Sequence, residues 1–244
     1  MRIPNALYKY KSLSTTADIE RLLEIIKGKK IYLPRYDQLN DPLEGAGYNI
    51  EINGWAGCSI AIAADEELSP IEDEKKRFRI LSLSSDPVSP QLWSHYSNNY
   101  DGVCLCFSTK GVFSGAKPVI YKPCKKQMAM DGTALTKAVY EGFFHKQDGW
   151  SYEKEWRIVR LGEQQKEYLQ FDSSDLKGVI FGHRVNKALA ETIASQVEKH
   201  VSVLVAEPGY QTAMIHLLKW NYDYVYDGET KPYIINIEDE LFAQ

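Results

Sequence analysis

The sequence predicts an α+β fold, a single domain with a mixed or antiparallel β-sheet and peripheral helices. Strand-like apolar segments are mixed with helical patterns, without the regular strand–helix alternation of parallel α/β proteins. A length of 244 residues and a hydrophobic content of 44% are enough for a large buried core. No repeat, low-complexity tract or linker divides the chain. Residues 1–244 are therefore predicted to form one domain, with residues 46–78 as an insertion on its surface.

The elements follow from two periodicities. The first strand is predicted at residues 7–11, where apolar and polar side chains alternate. A helix follows, because Ser14-Thr15-Thr16 offers an N-cap and apolar residues repeat with helical spacing up to Gly28. By the same reasoning, strands are expected at residues 30–33, 79–84, 103–107, 119–121, 156–160, 178–182, 201–206 and 233–237, and helices at residues 90–97, 133–145 and 186–200.

Composition excludes several classes of protein. A net charge of −4 argues against a protein that coats nucleic acid with its whole surface. The four cysteines, Cys58, Cys104, Cys106 and Cys124, lack the spacing of a zinc site, and Cys104 and Cys106 are expected to be small buried hydrophobic residues. Neither a secretory signal nor a membrane-spanning apolar run is visible. The sequence therefore predicts a cytoplasmic protein without a membrane partner or a bound metal.

The strongest candidate for chemistry is the segment WSYEKEWR, residues 150–157. On a strand, Glu153, Glu155 and Arg157 would share one face, with the two carboxylates about 7 Å apart. Carboxylates so placed repel each other at neutral pH, so a pair of this kind indicates a partner or a function that requires it. The alternative is a solvated strand face with an ordinary ion pair. The aromatic residues around the pair favour a functional site.

Three weaker signals accompany the acidic pair. Ser82 and Ser84 place two hydroxyl groups on one face of a predicted strand, although a strand that ends before Asp86-Pro87 explains them equally well. His95, in the segment WSHY, suits a ligand contact but is by default a structural hydrogen-bonding group. The segment Asn40-Asp41-Pro42 is typical of a turn.

These motifs resemble a widespread bacterial family known only as domain of unknown function 2971 (DUF2971). The resemblance rests on LYKY at residues 7–10, Asn40-Asp41-Pro42 with Glu44, Ser82 with Ser84, LWxHY at residues 92–96, Gly102-Val103 and WSYEKEWR at residues 150–157. The family name implies no activity.

The order of these motifs is also similar to that of ADP-ribosyltransferases of the toxin type. Those enzymes carry a basic residue on a first strand, a Ser-x-Ser strand later and a Glu/Gln-x-Glu strand near the end of the domain. The resemblance implies a split β-sheet, NAD as the substrate, and Glu155 and Glu153 as catalytic residues. The residues that it implies for binding NAD are Lys9, Tyr10, Ser82, Ser84, Trp93, His95 and Tyr96. Lys9 stands where that family usually has Arg or His.

The same resemblance implies a partner and a biological setting. The acceptor of ADP-ribose would be a macromolecule, either a protein or a nucleic acid. A bacterial toxin or an antiviral effector is expected, and an inhibitory antitoxin partner would hold it silent.

Two alternatives remain open at this point. A binding module for RNA or protein would use aromatic stacking and the basic cluster of Lys122, Lys125 and Lys126. A Mg²⁺-dependent nuclease or other hydrolase would use four carboxylates, those of Asp41, Glu44, Glu153 and Glu155.

Overall fold

The computed structural model describes residues 2–45, 49–50, 65–122, 127–128, 132–162, 167–209, 212, 214–220 and 241. The chain forms two compact units, each assembled from separate stretches of sequence. The first unit holds Tyr32–Ser82 and Ala116–Leu169, and the second holds Arg2–Ile31, Leu83–Gly115 and Gln170–Gln244. The expectation of one domain over residues 1–244 stays a prediction.

The described residues form strands and helices with the following bounds. The strands are β1 Ala6–Ser12, β2 Lys30–Tyr32, β3 Asn49–Ile50, β4 Phe78–Ser84, β5 Gly102–Ser108, β6 Lys117–Pro118, β7 Gln127–Met128, β8 Glu155–Leu161, β9 Tyr168–Gln170, β10 Leu176–Gly182, β11 Ser202–Gly209 and β12 Met214–Lys219. The helices are α1 Thr16–Gly28, α2 Asp65–Lys76, α3 Pro90–Tyr96, α4 Gly132–Gly142 and α5 Lys187–Ala194. Short 3₁₀ helices are found at Tyr36–Gln38, Gly111–Gly115, Asp148–Glu153 and Ser173–Asp175.

In the second unit, five strands lie in the order β12-β11-β10-β5-β1. β10 and β11 run parallel, whereas the other neighbours are antiparallel, so the sheet is mixed. Every residue of β5 is buried, because β5 lies between β1 and β10. The predicted α+β class with a mixed sheet is confirmed, and so is the prediction of a buried central strand at residues 103–107.

Helix α1 begins where its sequence predicts. Thr15 accepts a hydrogen bond from the backbone N–H of Asp18, and the Asp18 side chain accepts one from the backbone N–H of Thr15. This reciprocal capping satisfies two backbone donors that the helix itself cannot pair. The apolar stripe of the helix buries Leu22, Ile25 and Ile26. Local sequence signals therefore predict both the start and the buried face of this helix.

In the first unit, β8 lies between β4 and β6. β6 and β8 are antiparallel, with Lys117 opposite Arg157. The core of this unit joins strand and helix residues, namely Ile71, Phe78, Ile80, Leu135, Val139, Phe143, Phe144 and Val159. Packing between α2, α4, β4 and β8 thus supports the strand that carries Glu155 and Arg157.

The region predicted as a surface insertion contains a helix that packs in this core. Residues 65–76 are acidic and include Pro70, which has no backbone N–H to donate, so the sequence argued against a helix there. The structure forms α2 across this segment, and Ile71 is buried in the core. The expectation of a surface excursion is wrong for residues 65–76, because tertiary packing outweighs the low intrinsic propensity.

Several element boundaries also differ from the predictions. The strand expected at residues 119–121 is replaced by β6, which ends at Pro118, and by an isolated bridge between Ile120 and His145. α5 ends at Ala194, well before the predicted limit of residue 200. Four further strands, β3, β7, β9 and β12, match no predicted strand. The strand predicted at residues 233–237, most of the segment at 46–64, and both Cys58 and Cys124 lie outside the described residues.

Candidate functional site

The acidic segment enters strand β8 through a sharp change in backbone direction. Glu153 ends the 3₁₀ helix Asp148–Glu153, and Lys154 follows with a left-handed φ of 45°. Glu155 and Arg157 then lie on one face of β8, as strand alternation predicts. The prediction that Glu153 shares that strand face is wrong, because the strand begins only at Glu155.

Arg157 is completely buried, and each of its five N–H groups has an acceptor. Its Nε donates to Glu155 Oε1 at 2.6 Å, and its Nη2 donates to Glu155 Oε2 at 2.9 Å. The same Nη2 donates to Glu44 Oε2 at 2.8 Å, while Nη1 donates to Glu44 Oε1 and to the carbonyl of Phe143. Two carboxylates thus clamp one planar guanidinium, a geometry that lysine could not reproduce.

Lys146 joins the two carboxylates that the sequence analysis singled out. Its Nζ lies 2.6 Å from Glu153 Oε2 and 3.0 Å from Glu155 Oε2. The backbone N–H of Lys146 donates to the carbonyl of Ile120, which fixes the start of this side chain. Glu153 and Glu155 are therefore neighbours in space, although only Glu155 lies on the strand.

Glu44 reaches Arg157 from a tight turn. The Asp41 carboxylate accepts a hydrogen bond from the Leu43 N–H at 2.9 Å, which confirms the turn predicted at Asn40-Asp41-Pro42. Gly45 has a φ of +62°, and a Cβ at this position would lie 2.8 Å from Cε1 of Phe143. Glycine is favoured there, because a side chain would be strained at this φ and would crowd the Phe143 ring.

Ser82 completes the surroundings of the Glu155 carboxylate, to which its side chain is hydrogen-bonded. Burial by itself raises the pKa of Glu155, but the charges of Arg157 and Lys146 and the hydrogen bonds from Arg157 and Ser82 outweigh it and hold the pKa at about 2. The carboxylate therefore stays ionised at every physiological pH. It can serve as a fixed negative charge, and it is a poor proton donor.

The five charged residues are defined here as the acid cluster: Glu44, Lys146, Glu153, Glu155 and Arg157. Burial alone would lower the pKa of Lys146 and of Arg157, yet the carboxylates beside them raise both. Three carboxylates face two cations, so the five side chains together carry one net negative charge when all are ionised. A net negative charge favours a group that carries or develops positive charge.

Tyr121 adds a hydroxyl group at the edge of the acid cluster. Its oxygen accepts a hydrogen bond from the Glu155 N–H at 2.7 Å, and the residue is half-buried. Burial is the main cause that raises its pKa, and the charges of Glu155 and Glu153 raise it further. The phenol therefore keeps its proton at neutral pH.

The other residues predicted to contact NAD lie in the second unit. Tyr10 and Trp93 meet edge to face with their ring centroids 5.2 Å apart, and the Tyr10 hydroxyl donates to the carbonyl of Asp86 at 2.7 Å. Trp93 is fully buried. The remaining four are Lys9, half-buried on β1, Ser84, buried at the end of β4, and His95 and Tyr96, with ring centroids 6.5 Å apart at the end of α3. A role toward NAD stays a prediction for all six.

Sequence reasoning did not assign Lys146, Tyr121 or the pairing of Glu44 with Arg157 to the acidic site. Lys146 directly follows the helix predicted at residues 133–145, and a lysine is ordinary at the C-terminal end of a helix. Glu44 and Arg157 are 113 positions apart, so no local pattern connects them. The charge of Arg157, on a strand otherwise apolar from Trp156 to Val159, was the available signal that an acidic partner must exist elsewhere.

The carboxylates of a proposed magnesium site are committed to other partners. Glu44, Glu153 and Glu155 bind Arg157 and Lys146, and Asp41 caps its own turn. Across the part of the chain that the structure describes, no group of three or more His, Cys, Asp or Glu side chains is arranged to hold a metal ion. Of the basic cluster predicted for RNA, Lys122 is exposed, while Lys125 and Lys126 lie outside the described residues.

Two cavities occur away from the acid cluster. One of about 600 Å³ in the second unit is lined by Ser195, Ser202, Lys219 and Trp220, among others. Another of about 340 Å³ in the first unit is lined by Phe78, Tyr140 and Leu161, among others. None of the described helices combines the length and the apolar character that crossing a lipid bilayer requires.

Comparison with known protein families finds a match over part of the chain. Residues 92–158 match the family model described as "Protein of unknown function (DUF2971)". The predicted resemblance to DUF2971 is thereby confirmed over a segment that includes Lys146, Glu153, Glu155 and Arg157. No curated protein and no solved structure matches the chain. The resemblance to ADP-ribosyltransferases stays a prediction.

Proposed function

We propose that this protein, which matches the DUF2971 family model over residues 92–158, is an ADP-ribosyltransferase that cleaves NAD and transfers ADP-ribose to a macromolecular acceptor. One observation carries the proposal: the Ser82 side chain is hydrogen-bonded to Glu155 within a buried cluster that also contains Glu153. In the motif order that suggested this activity, the Ser-x-Ser strand and the Glu-x-Glu segment contribute to one site. Their contact supports the proposal, because nothing in the local sequence of either segment requires it.

The chemistry uses the fixed charge of Glu155. When the bond between the ribose C1′ and the nicotinamide nitrogen breaks, nicotinamide leaves with the bonding electron pair and C1′ becomes positively charged. An ionised carboxylate beside C1′ stabilises this oxocarbenium-like state, as in glycoside cleavage. Glu155 has the required charge at neutral pH, because its pKa is held at about 2.

Glu153 takes the second role. A nucleophile of the acceptor forms a bond to C1′ as it loses a proton, and Glu153 accepts that proton as the general base. Ser82 holds the Glu155 carboxylate in orientation through its hydrogen bond. The balance is one NAD and one acceptor consumed, and one nicotinamide, one ADP-ribosylated acceptor and one proton released.

The proposal extends to the setting in which such an enzyme acts. The acceptor is a protein or a nucleic acid, and the enzyme works in the cytoplasm as a toxin or antiviral effector that an inhibitory partner holds silent.

The test is release of nicotinamide from NAD by the purified protein, together with transfer of labelled ADP-ribose to lysate components. Wild-type protein should release nicotinamide, and Glu155→Gln should abolish release while its circular dichroism spectrum stays that of wild type. Glu167→Gln provides the matched control, since its carboxylate pairs with Arg79 at 3.5 Å and is outside the acid cluster. The proposal is wrong if wild-type protein neither releases nicotinamide nor transfers label.

A further inference from the structure

Lys146 occupies an unusual position for a lysine. Lysine is seldom buried unless its charge is matched, yet this side chain is only 7% exposed and its ammonium binds one oxygen each of Glu153 and Glu155. The Nζ also lies 4.9 Å from the centroid of the Trp150 ring, which adds a favourable cation–π contact. The ammonium therefore has partners on three sides.

From this geometry we infer that Lys146 is a positioning residue, whose ammonium holds Glu153 and Glu155 ionised side by side and sets the distance between them. The catalytic use of Glu153 and Glu155 rests on the proposed function. The salt bridges from Lys146 to both carboxylates are a property of the folded protein, whether or not it cleaves NAD. The two bridged oxygens can be no further apart than contacts of 2.6 Å and 3.0 Å laid end to end. Two buried carboxylates that lie so close each disfavour the ionised form of the other, and a cation between them opposes this effect.

Arg157 cannot replace Lys146 in this role. All five of its N–H groups already serve Glu44, Glu155 and the Phe143 carbonyl. Among the residues that the structure describes, two tyrosines also face the pair: Tyr121, whose hydroxyl accepts from the Glu155 N–H, and Tyr152, whose pKa is raised by burial and by the Glu153 charge. Neither tyrosine supplies a positive charge. Loss of the Lys146 charge therefore removes the salt bridge between Lys146 and Glu153.

The experiment is a pH titration of the Glu153 and Glu155 carboxyl carbons by ¹³C NMR, which needs neither NAD nor an acceptor. Lys146→Met removes the charge and keeps most of the side-chain volume, whereas Lys146→Arg keeps the charge. In Lys146→Met, the pKa of at least one of the two carboxyl groups should rise by roughly two units or more. In Lys146→Arg the titration should stay close to that of wild type. Lys137→Met, at an exposed lysine of the same unit, is the matched control and should change nothing.

Titration curves of Lys146→Met that coincide with those of wild type would overturn the inference. If Lys146→Met does not fold, wild-type protein decides the matter through the ¹⁵N resonance of the Lys146 ammonium. The chemical shift of that resonance should change as Glu153 and Glu155 titrate. A chemical shift that changes at neither titration step contradicts the salt bridges from Lys146 to the two carboxylates.

The pH dependence of kcat gives a separate test of the role of Lys146. If NAD is cleaved, the acidic limb of kcat should move to higher pH in Lys146→Met by the shift that NMR measures, and Lys146→Arg should restore it. An unchanged limb, with the carboxyl pKa raised, would remove Lys146 from the catalytic role. If wild-type protein does not cleave NAD but the NMR shift occurs, the transferase proposal fails and the bridge stands.

Discussion

Arg157 donates to both oxygens of Glu155, from Nε at 2.6 Å and from Nη2 at 2.9 Å. The same guanidinium holds Glu44, so one residue pins together a turn and a strand that are distant in sequence. Burial of ions is costly, and a buried cluster of this kind persists only when each partner is present. Removal of a single member should therefore lower the stability of the protein strongly, so the contribution of each residue can be measured by mutation.

Arg157→Met should strongly destabilise the protein. The change leaves the carboxylates of Glu44 and Glu155 buried without their main cation, and loss of one partner from a buried ion pair costs about 3–5 kcal/mol. Urea unfolding followed by tryptophan fluorescence measures the change in the free energy of unfolding. Arg35→Met is the matched control, because Arg35 is an exposed arginine that pairs with Asp37 on the surface. Equal unfolding midpoints for the two variants would contradict the prediction.

The pH dependence of stability should carry a contribution from Glu155. Its pKa in the folded protein is about 2, below the ordinary value of 4.5. A depressed pKa contributes stability that is fully present above about pH 4.5 and is lost as the pH falls towards 2, and the size of the shift corresponds to about 3 kcal/mol. Wild-type protein should therefore be more stable than Glu155→Gln at neutral pH, and this advantage should shrink within that window.

Urea unfolding of the two proteins at intervals between pH 7 and pH 2 measures the difference. A stability difference between wild type and Glu155→Gln that stays constant from pH 5 to pH 2 would show that Glu155 is not ionised in the manner described.

The first helix and most of the longer strands of this protein could be predicted because their signals are local. Thr15 and Asp18 cap α1 three residues apart, and the apolar run around Leu105 predicts a buried strand without knowledge of its neighbours. Helix α2 could not be predicted, because the burial of Ile71 that stabilises it depends on α4, β4 and β8.

The candidate site was predictable in part for the same reason. Glu155 and Arg157 are two residues apart on a strand, so their shared face follows from alternation. Glu153 could not be placed, since the left-handed conformation of Lys154 has no signal in its sequence. The pairing of Glu44 with Arg157 is a tertiary contact that only the folded chain shows.

The two serines of the Ser-x-Ser strand should have different effects. Ser82 is hydrogen-bonded to Glu155 in the first unit, whereas the Ser84 hydroxyl accepts from the backbone N–H of Asp86 at 3.0 Å in the second. Ser82→Ala should raise the pKa of Glu155 and lower stability by about 1 kcal/mol. Ser84→Ala, the matched control, should leave the pKa of Glu155 unchanged.

¹³C NMR of the Glu155 carboxyl group distinguishes the two variants. If NAD is cleaved, Ser82→Ala should also lower kcat by misplacing the carboxylate. An identical Glu155 titration in wild type and Ser82→Ala would remove Ser82 from the site.

Gly45→Ala tests the turn that brings Glu44 to Arg157. A residue with a Cβ would be strained at a φ of +62°, at a cost of about 1–3 kcal/mol, and its Cβ would lie 2.8 Å from the Phe143 ring. The backbone must move to relieve this contact, and Glu44 immediately precedes Gly45 in the chain. Gly45→Ala should therefore lower the unfolding free energy by more than about 2 kcal/mol and weaken the clamp on Arg157.

Gly149→Ala is the control in the same unit, because a Cβ at Gly149 meets no described atom within 4 Å and its φ is not positive. Urea unfolding of both variants compares the costs, and a Gly45→Ala variant as stable as Gly149→Ala would mean that the turn does not constrain Glu44.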